Sequence, residues 1–318
     1  MKKRWHFFIV MGVMLIGLIV GSIAQLDLKI NEAIFSPTNG FGLVGLVVSS
    51  FGMIPGYGTL SFLGGVLTYI TLKGKNEFPT WLKVLFVALS VAMYGVSVYF
   101  LGKDVFSVNG FYNEKLHPWL GCIIMGVIMV PVFYLGFWMG KKNTNPKLWI
   151  AILIAAAVIF IALVPGVTLF KAIMHRPRYR SAVYESYVSY YNWWERFSEY
   201  STYKVGDVLI IDGKEFATEE FKSFPSGHAG ATMCGLIWFT FLPLIDNRLM
   251  KHQTLLFYIA FAWGLVVMFA RMLVGAHYLT DVCFGALLTV VCYYIGNEFI
   301  VKYCLPKGEA SPAIEEKR

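Results

Sequence analysis

Residues 148–170 read LWIAILIAAAVIFIALVPGVTLF, and residues 171–180 continue KAIMHRPRYR. The first stretch holds 23 residues and no charge. A helix crosses the hydrocarbon core of a bilayer with about 20 mostly apolar residues, so this run reads as a membrane span. The second stretch packs one lysine, three arginines and a histidine into ten residues. An apolar rod that ends in a cluster of cations sets both the fold class and the place to look for chemistry.

Seven more runs of the same character stand at about 7–25, 56–72, 82–101, 119–140, 229–245, 254–272 and 282–301. The run before 56–72 begins near Phe41 and is interrupted by Gly52, Pro55, Gly56 and Gly58. Residues 41–54 are therefore either the front of that span or a re-entrant or interfacial helix. The expected fold is all-α, a polytopic transmembrane bundle of about eight spans. Composition agrees. The 318 residues are 57% hydrophobic and 14% charged, against about 45–50% and 25% in soluble domains. Such a chain cannot cover a water-facing surface, which excludes a soluble enzyme, a disordered protein and a nucleic-acid-binding domain. The five cysteines lie in or beside apolar stretches without metal-ligand spacing, and read as buried thiols.

Lysine and arginine favour the cytoplasmic side of a membrane. Lys2, Lys3 and Arg4, then Lys73, Lys75 and Lys83, then Lys141, Lys142 and Lys147, then Arg248 and Lys251, and finally Lys302, Lys307, Lys317 and Arg318 make every second connection basic. That alternation places both termini in the cytoplasm. It also places residues 171–228, which carry eight lysines and arginines, on the outer face, where the rule disfavours them. Topology does not account for these cations, and a ligand would. The same segment is rich in Tyr and Trp, including Tyr190, Tyr191, Trp193 and Trp194, and reads as an interfacial helix lying on the bilayer, a lid over a lipid-facing site, or both.

Three motifs fall on that outer face. Lys171 to Arg180 ends the fifth span. Phe224-Pro225-Ser226-Gly227-His228 opens the sixth. Arg271, His277 and Asp281 bridge the seventh and eighth. Ionisable groups at membrane rims are costly and mark function. Clustered Arg and Lys are charge-assisted donors for an anion with several oxygens. Ser226 and Gly227 at a helix start add a hydroxyl, backbone amides and a favourable dipole. His277 and Asp281 stand four apart, on one face if helical, so the carboxylate can fix the imidazole tautomer and leave the other nitrogen as a nucleophile. His228 can deliver a proton to a leaving oxygen.

These motifs resemble the type 2 phosphatidic acid phosphatase family, PAP2. Its pattern is Lys, six residues, Arg-Pro; then Pro-Ser-Gly-His; then Ser-Arg, five residues, His, three residues, Asp. Pro225-Ser226-Gly227-His228 matches in full, and Lys171 to Arg178 and Arg271 to His277 to Asp281 match in spacing. Tyr179 stands where Pro is usual, and Ala270 where Ser precedes the Arg. Arg176-Pro177 is an alternative Arg-Pro pair, but the spacing from Lys171 selects Arg178. The resemblance is firmest over 165–285. It implies N-terminal transmembrane helices over 1–145, a PAP2-like catalytic core over 146–305 with an extracytoplasmic loop at 179–224, and a cytoplasmic tail at 306–318.

The resemblance further implies a bacterial plasma-membrane lipid phosphatase working through a phosphohistidine, without metal or other cofactor. His277 would be the nucleophile, Asp281 its orienting partner and His228 the acid and base. Lys171, Arg178, Ser226, Gly227 and Arg271 would bind phosphate, with Arg176 and Arg180 as further substrate contacts. The expected partners are a phosphorylated lipid, such as undecaprenyl diphosphate, phosphatidic acid or phosphatidylglycerol phosphate, and the surrounding membrane lipids. A phosphotransferase to an acceptor other than water, and a non-catalytic lipid-phosphate transporter, are the alternative functions. The oligomeric state is not set by the sequence.

Overall fold

The computed structural model of the chain describes residues 4–36, 40–106 and 118–304; the tail expected at 306–318 lies outside the described residues. Among the described residues, eight helical stretches are long and apolar enough to cross a membrane, as the sequence indicates. The first is α1 (Trp5–Ser22), followed by the short helix α2 (Leu26–Ile34). Helices α3 (Gly40–Phe51) and α4 (Ile54–Lys73) meet at Gly52 and Met53, with Pro55 in the first turn of α4, where its missing N–H costs nothing. Gly45 of α3 lies against Leu273 and Val274, and Gly52 against Val267. Residues 41–54 thus form the front of the second span, packed along one half of the seventh.

Helices α5 (Thr80–Phe106) and α6 (Pro118–Gly140) pack with α4 as a three-helix group. The fifth span is α7 (Leu148–Ile161), one wide turn over Ala162–Val167, and α8 (Thr168–Met174). Pro165 within that turn supplies no N–H to the ladder, which accounts for the i+5 pattern there. The sixth span, α10 (Gly227–Met233) and α11 (Gly235–Ile245), is the centre of the bundle. Buried positions make up 81% of its apolar window, against 22–56% in the other seven. The seventh and eighth are α12 (Gln253–Leu273) and α13 (Leu279–Cys304).

Lipid tails are as apolar as Leu, so close packing and hydrogen bonds, rather than the hydrophobic effect, hold such helices together. At Gly285 of α13 a Cβ would run into the carbonyl of Ser226, so glycine lets the two helix starts touch. Outward-facing apolar side chains such as Ile16, Trp81, Ile123 and Val127 form the lipid-facing exterior.

One region departs from expectation. Residues 179–224 are not a helix lying on the bilayer. After the single turn α9 (Tyr200–Tyr203) they form a three-stranded antiparallel sheet, β1 (Lys204–Val205), β2 (Val208–Ile211) and β3 (Lys214–Ala217). The pairing register sets Val208 opposite Ala217 and Ile211 opposite Lys214. Phe197, Leu209, Ile211, Phe216 and Phe221 make a small core of their own. Many of the loop's aromatic rings therefore pack on each other rather than on lipid, while Tyr184 and Trp194 stay exposed.

Candidate functional site

All three motifs arrive at one end of the bundle. Ser226 caps α10, its hydroxyl accepting from the Ala229 amide at 3.3 Å. His228 in the first turn of α10 then faces His277, with ring centroids 6.5 Å apart. His277 does not lie on a helix. Gly275 turns the chain with a φ of +63° before α13 begins, and a Cβ there would strike Phe35 and Arg180. The helical condition for a shared His277–Asp281 face is thus not met. The His277 Nδ1 donates to the Ser223 carbonyl at 2.6 Å and stands 3.8 Å from the nearer Asp281 oxygen. A carbonyl only accepts, so Nδ1 carries the proton and Nε2 carries the lone pair. Asp281 acts on His277 through the field and through Ser223, whose hydroxyl donates to Asp281 at 2.5 Å. Asp281 also accepts from the Tyr278 amide at 2.9 Å.

Around the two histidines stand Arg271 at the end of α12, Lys171 in α8 and Arg178; they are the charged neighbours of both rings. Arg178 is buried, its amide donating to the Glu220 carbonyl at 2.8 Å. Its Nε and Nη1 have no hydrogen-bond partner, and the Glu220 carboxylate is 3.9 Å away. The Nε2 of His228 is likewise buried without a partner. Buried polar groups are nearly always satisfied, and those that are not call for an explanation. Arg178 is a charged neighbour of the His228 ring, so these three atoms would suit the oxygens of an anion. Burial, with Arg271, Arg178 and Lys171 nearby, keeps His277 well below the ordinary histidine range. The ring is thus held neutral. Burial alone would push the Glu220 carboxyl up, but Arg178 and Arg180 outweigh it and hold the group at about 2.

Two expected contacts are corrected. Arg176 is fully buried, and its five N–H groups meet five acceptors. Nε donates to the Tyr191 carbonyl at 2.9 Å. Nη1 donates to Thr280 at 2.9 Å and Asp281 at 2.5 Å. Nη2 donates to Asp27 at 2.9 Å and the Tyr190 hydroxyl at 3.2 Å. No donor is left for a ligand. Arg180 pairs with Glu220 at 2.6 Å and 3.2 Å. Ser226 also differs from expectation. Its amide donates to the Asp281 carbonyl at 3.0 Å, so among its groups only the hydroxyl proton could reach an anion.

Three functional residues carried no signal in the sequence. Ser223 links His277 to Asp281. Asp27, from α2, is fully buried and accepts from the Thr280 amide at 2.9 Å, from the Thr280 hydroxyl and from Arg176. Burial raises its carboxyl above the ordinary value, against the pull of Arg176. Asn31, one turn on, donates to the His277 carbonyl at 3.1 Å.

The model of the PAP2 superfamily matches residues 147–302, about half of the chain. No curated protein and no solved structure matches the chain. The matched stretch contains all three motifs, both facing histidines and four of the eight spans. The protein is therefore a member of the PAP2 superfamily, with membrane-spanning architecture and the phosphatase-type chemistry that membership implies.

Proposed function

We propose that the protein is an integral-membrane phosphatase acting on the phosphate or diphosphate of a lipid. The observation that carries this reading is the set of buried nitrogens without a hydrogen bond, Arg178 Nε and Nη1 and His228 Nε2, with His277 facing His228. Lys171, Arg178, Arg271 and the start of α10 at Ser226 and Gly227 hold the phosphoryl oxygens. Stabilising charge on those oxygens is the main work in phosphoryl transfer. His277 Nε2 attacks phosphorus, the bond from phosphorus to the lipid-side oxygen breaks, and His228 protonates that oxygen. Water then attacks the phosphohistidine, gives its proton to His228 and releases inorganic phosphate. Asp281 and the Ser223 carbonyl favour the cationic ring that forms between the steps.

An apolar cavity of about 450 Å³ lies between α4, α5 and the fifth span, lined by Tyr57, Leu60, Met93, Phe100, Leu163 and Thr168. Thr168 is about one helical turn before Lys171, so a hydrocarbon chain in the cavity would bring its phosphate to the cations. In this reading 146–305 is the catalytic unit, the termini face the cytoplasm, and the site opens at the outer face of a plasma membrane. Undecaprenyl diphosphate, phosphatidic acid and phosphatidylglycerol phosphate are the substrates to assay first. The test is release of inorganic phosphate by the purified protein, lost in His277→Ala and His228→Ala. Turnover that survives both substitutions, or none on any lipid phosphate, overturns the reading. Transfer of label to an added alcohol in place of water would assign a phosphotransferase.

A further inference from the structure

Helix α2 lies outside the stretch that matches the family, and only two of its nine residues are buried, Asp27 and Asn31. An interfacial helix ordinarily buries apolar residues. This one buries a carboxylate and an amide, four residues apart and hence on one face. Both are committed to the turn that carries the nucleophile. Asn31 holds the carbonyl of His277 itself at 3.1 Å. Asp27 takes the Thr280 amide at 2.9 Å, in the first turn of α13, and pairs at 2.9 Å with Arg176, which also pairs with Asp281 at 2.5 Å. Gly21 at the end of α1 admits this contact, since a Cβ there would press on both Thr280 and Asp27.

We infer that α2 is a positioning clamp for the nucleophile, in which Asn31 sets the place of His277 and Asp27 sets the charge behind it by sharing Arg176 with Asp281. The inference rests on the reading of His277 as nucleophile. Asp27, Arg176 and Asp281 together carry one net negative charge. Burial raises the Asp27 carboxyl, while the Arg176 guanidinium and the Thr280 amide and hydroxyl all donate to it and favour the ionised form the clamp requires. Without the Asp27 charge, Arg176 neutralises Asp281 alone and the net charge behind His277 falls to zero. The other groups that face His277 are Arg271 from α12, Arg178 and Lys171 from the fifth span, and His228 from α10. None of the cations among them changes. A weaker negative field disfavours the protonated ring and equally the cationic phosphohistidine.

The test compares wild type, Asp27→Asn and Asn31→Ala in lipid nanodiscs, with phosphatidic acid as substrate. For Asp27→Asn the expected result is a fall in kcat of about tenfold with KM within about threefold. The acid limb of its kcat/KM profile should move to lower pH by about half a unit or more. Asn31→Ala should lower kcat without moving the limb, and decides the positioning half should Asp27→Asn fail to fold. A lowered kcat with an unmoved limb in Asp27→Asn would reduce Asp27 to a structural role and overturn the charge claim. An unchanged kcat in Asn31→Ala would overturn the clamp. Absence of turnover by wild type would strike the proposed function instead. The inference then stands or falls on the ionisation midpoint of His277, read from ¹⁵N shifts of ring-labelled histidine. A lower midpoint in Asp27→Asn supports it, and equal midpoints overturn it.

Discussion

Arg176 and Arg178 are two residues apart, both are buried, and they end in opposite situations. Arg176 gives all five of its N–H groups to protein acceptors, between Asp27 and Asp281 and over the ring of Tyr278 at 4.2 Å. Arg178 keeps two buried nitrogens without a partner, beside His228 in the same condition. A buried cation costs several kcal/mol in desolvation unless something answers it. In the first region the protein itself answers, and the arginine builds structure. In the second region the chain answers with the Glu220 carboxylate at 3.9 Å, which leaves Nε and Nη1 without the hydrogen bonds an anion would supply. A basic cluster at a membrane rim therefore splits into a closed half and an open half, and only the open half has nitrogens left for the proposed anion.

The contrast breaks most sharply at the open half. His277→Ala is expected to lower phosphate release at least about 10³-fold while leaving the melting temperature near that of wild type; an activity assay and a thermal melt on the same preparation check both. Next come the two arginines. Arg178→Met should lower kcat/KM by about 10²-fold and should destabilise the fold less than Arg176→Met, because the Glu220 carboxylate at 3.9 Å is its one close ion partner among the described residues. Arg176→Met leaves Asp27 and Asp281 buried together without their cation, and should cost about 3–5 kcal/mol of stability. Chemical denaturation in detergent compares them. Equal destabilisation by the two substitutions would erase the distinction between the halves.

The smallest effect lies at the rim of the open half. Glu220 has its folded pKa depressed to about 2 from an ordinary 4.5. Its contribution to stability is therefore fully present above about pH 4.5 and is lost as pH falls toward 2. Glu220→Gln should flatten that acid-side loss in a pH series of thermal melts. It should also raise KM a few-fold, since Arg178 loses the carboxylate that holds it in place.

How much of this could be seen in the chain follows from the range of each interaction. The spans were legible because a run of apolar residues such as 148–170 has one reading in water. The chemistry was legible because His228, Arg271 and His277 belong to motifs whose spacing is local. The spacing from Lys171 selected Arg178 over Arg176, but the closed bonding of Arg176 could not be seen, since it is made by partners as distant as Asp27, 149 residues away. Asp27 and Asn31 gave no signal at all, because their contacts with Thr280 and His277 bridge 253 and 246 residues. The sheet after Tyr203 was missed because its strands are two to four residues long. In so short a stretch, aromatic residues that pack on each other look the same as residues that anchor in lipid.

The central claim is that an anion's phosphorus sits between His228 and His277 and passes through the second. Its most direct test is rapid quenching of the purified protein into alkali during turnover of a lipid labelled with ³²P at the scissile phosphate, followed by peptide mapping. The account predicts label on His277, stable to base and labile to acid, and absent from His277→Ala. Turnover with no label on the protein at any quench time, or label on a residue other than His277, would contradict it.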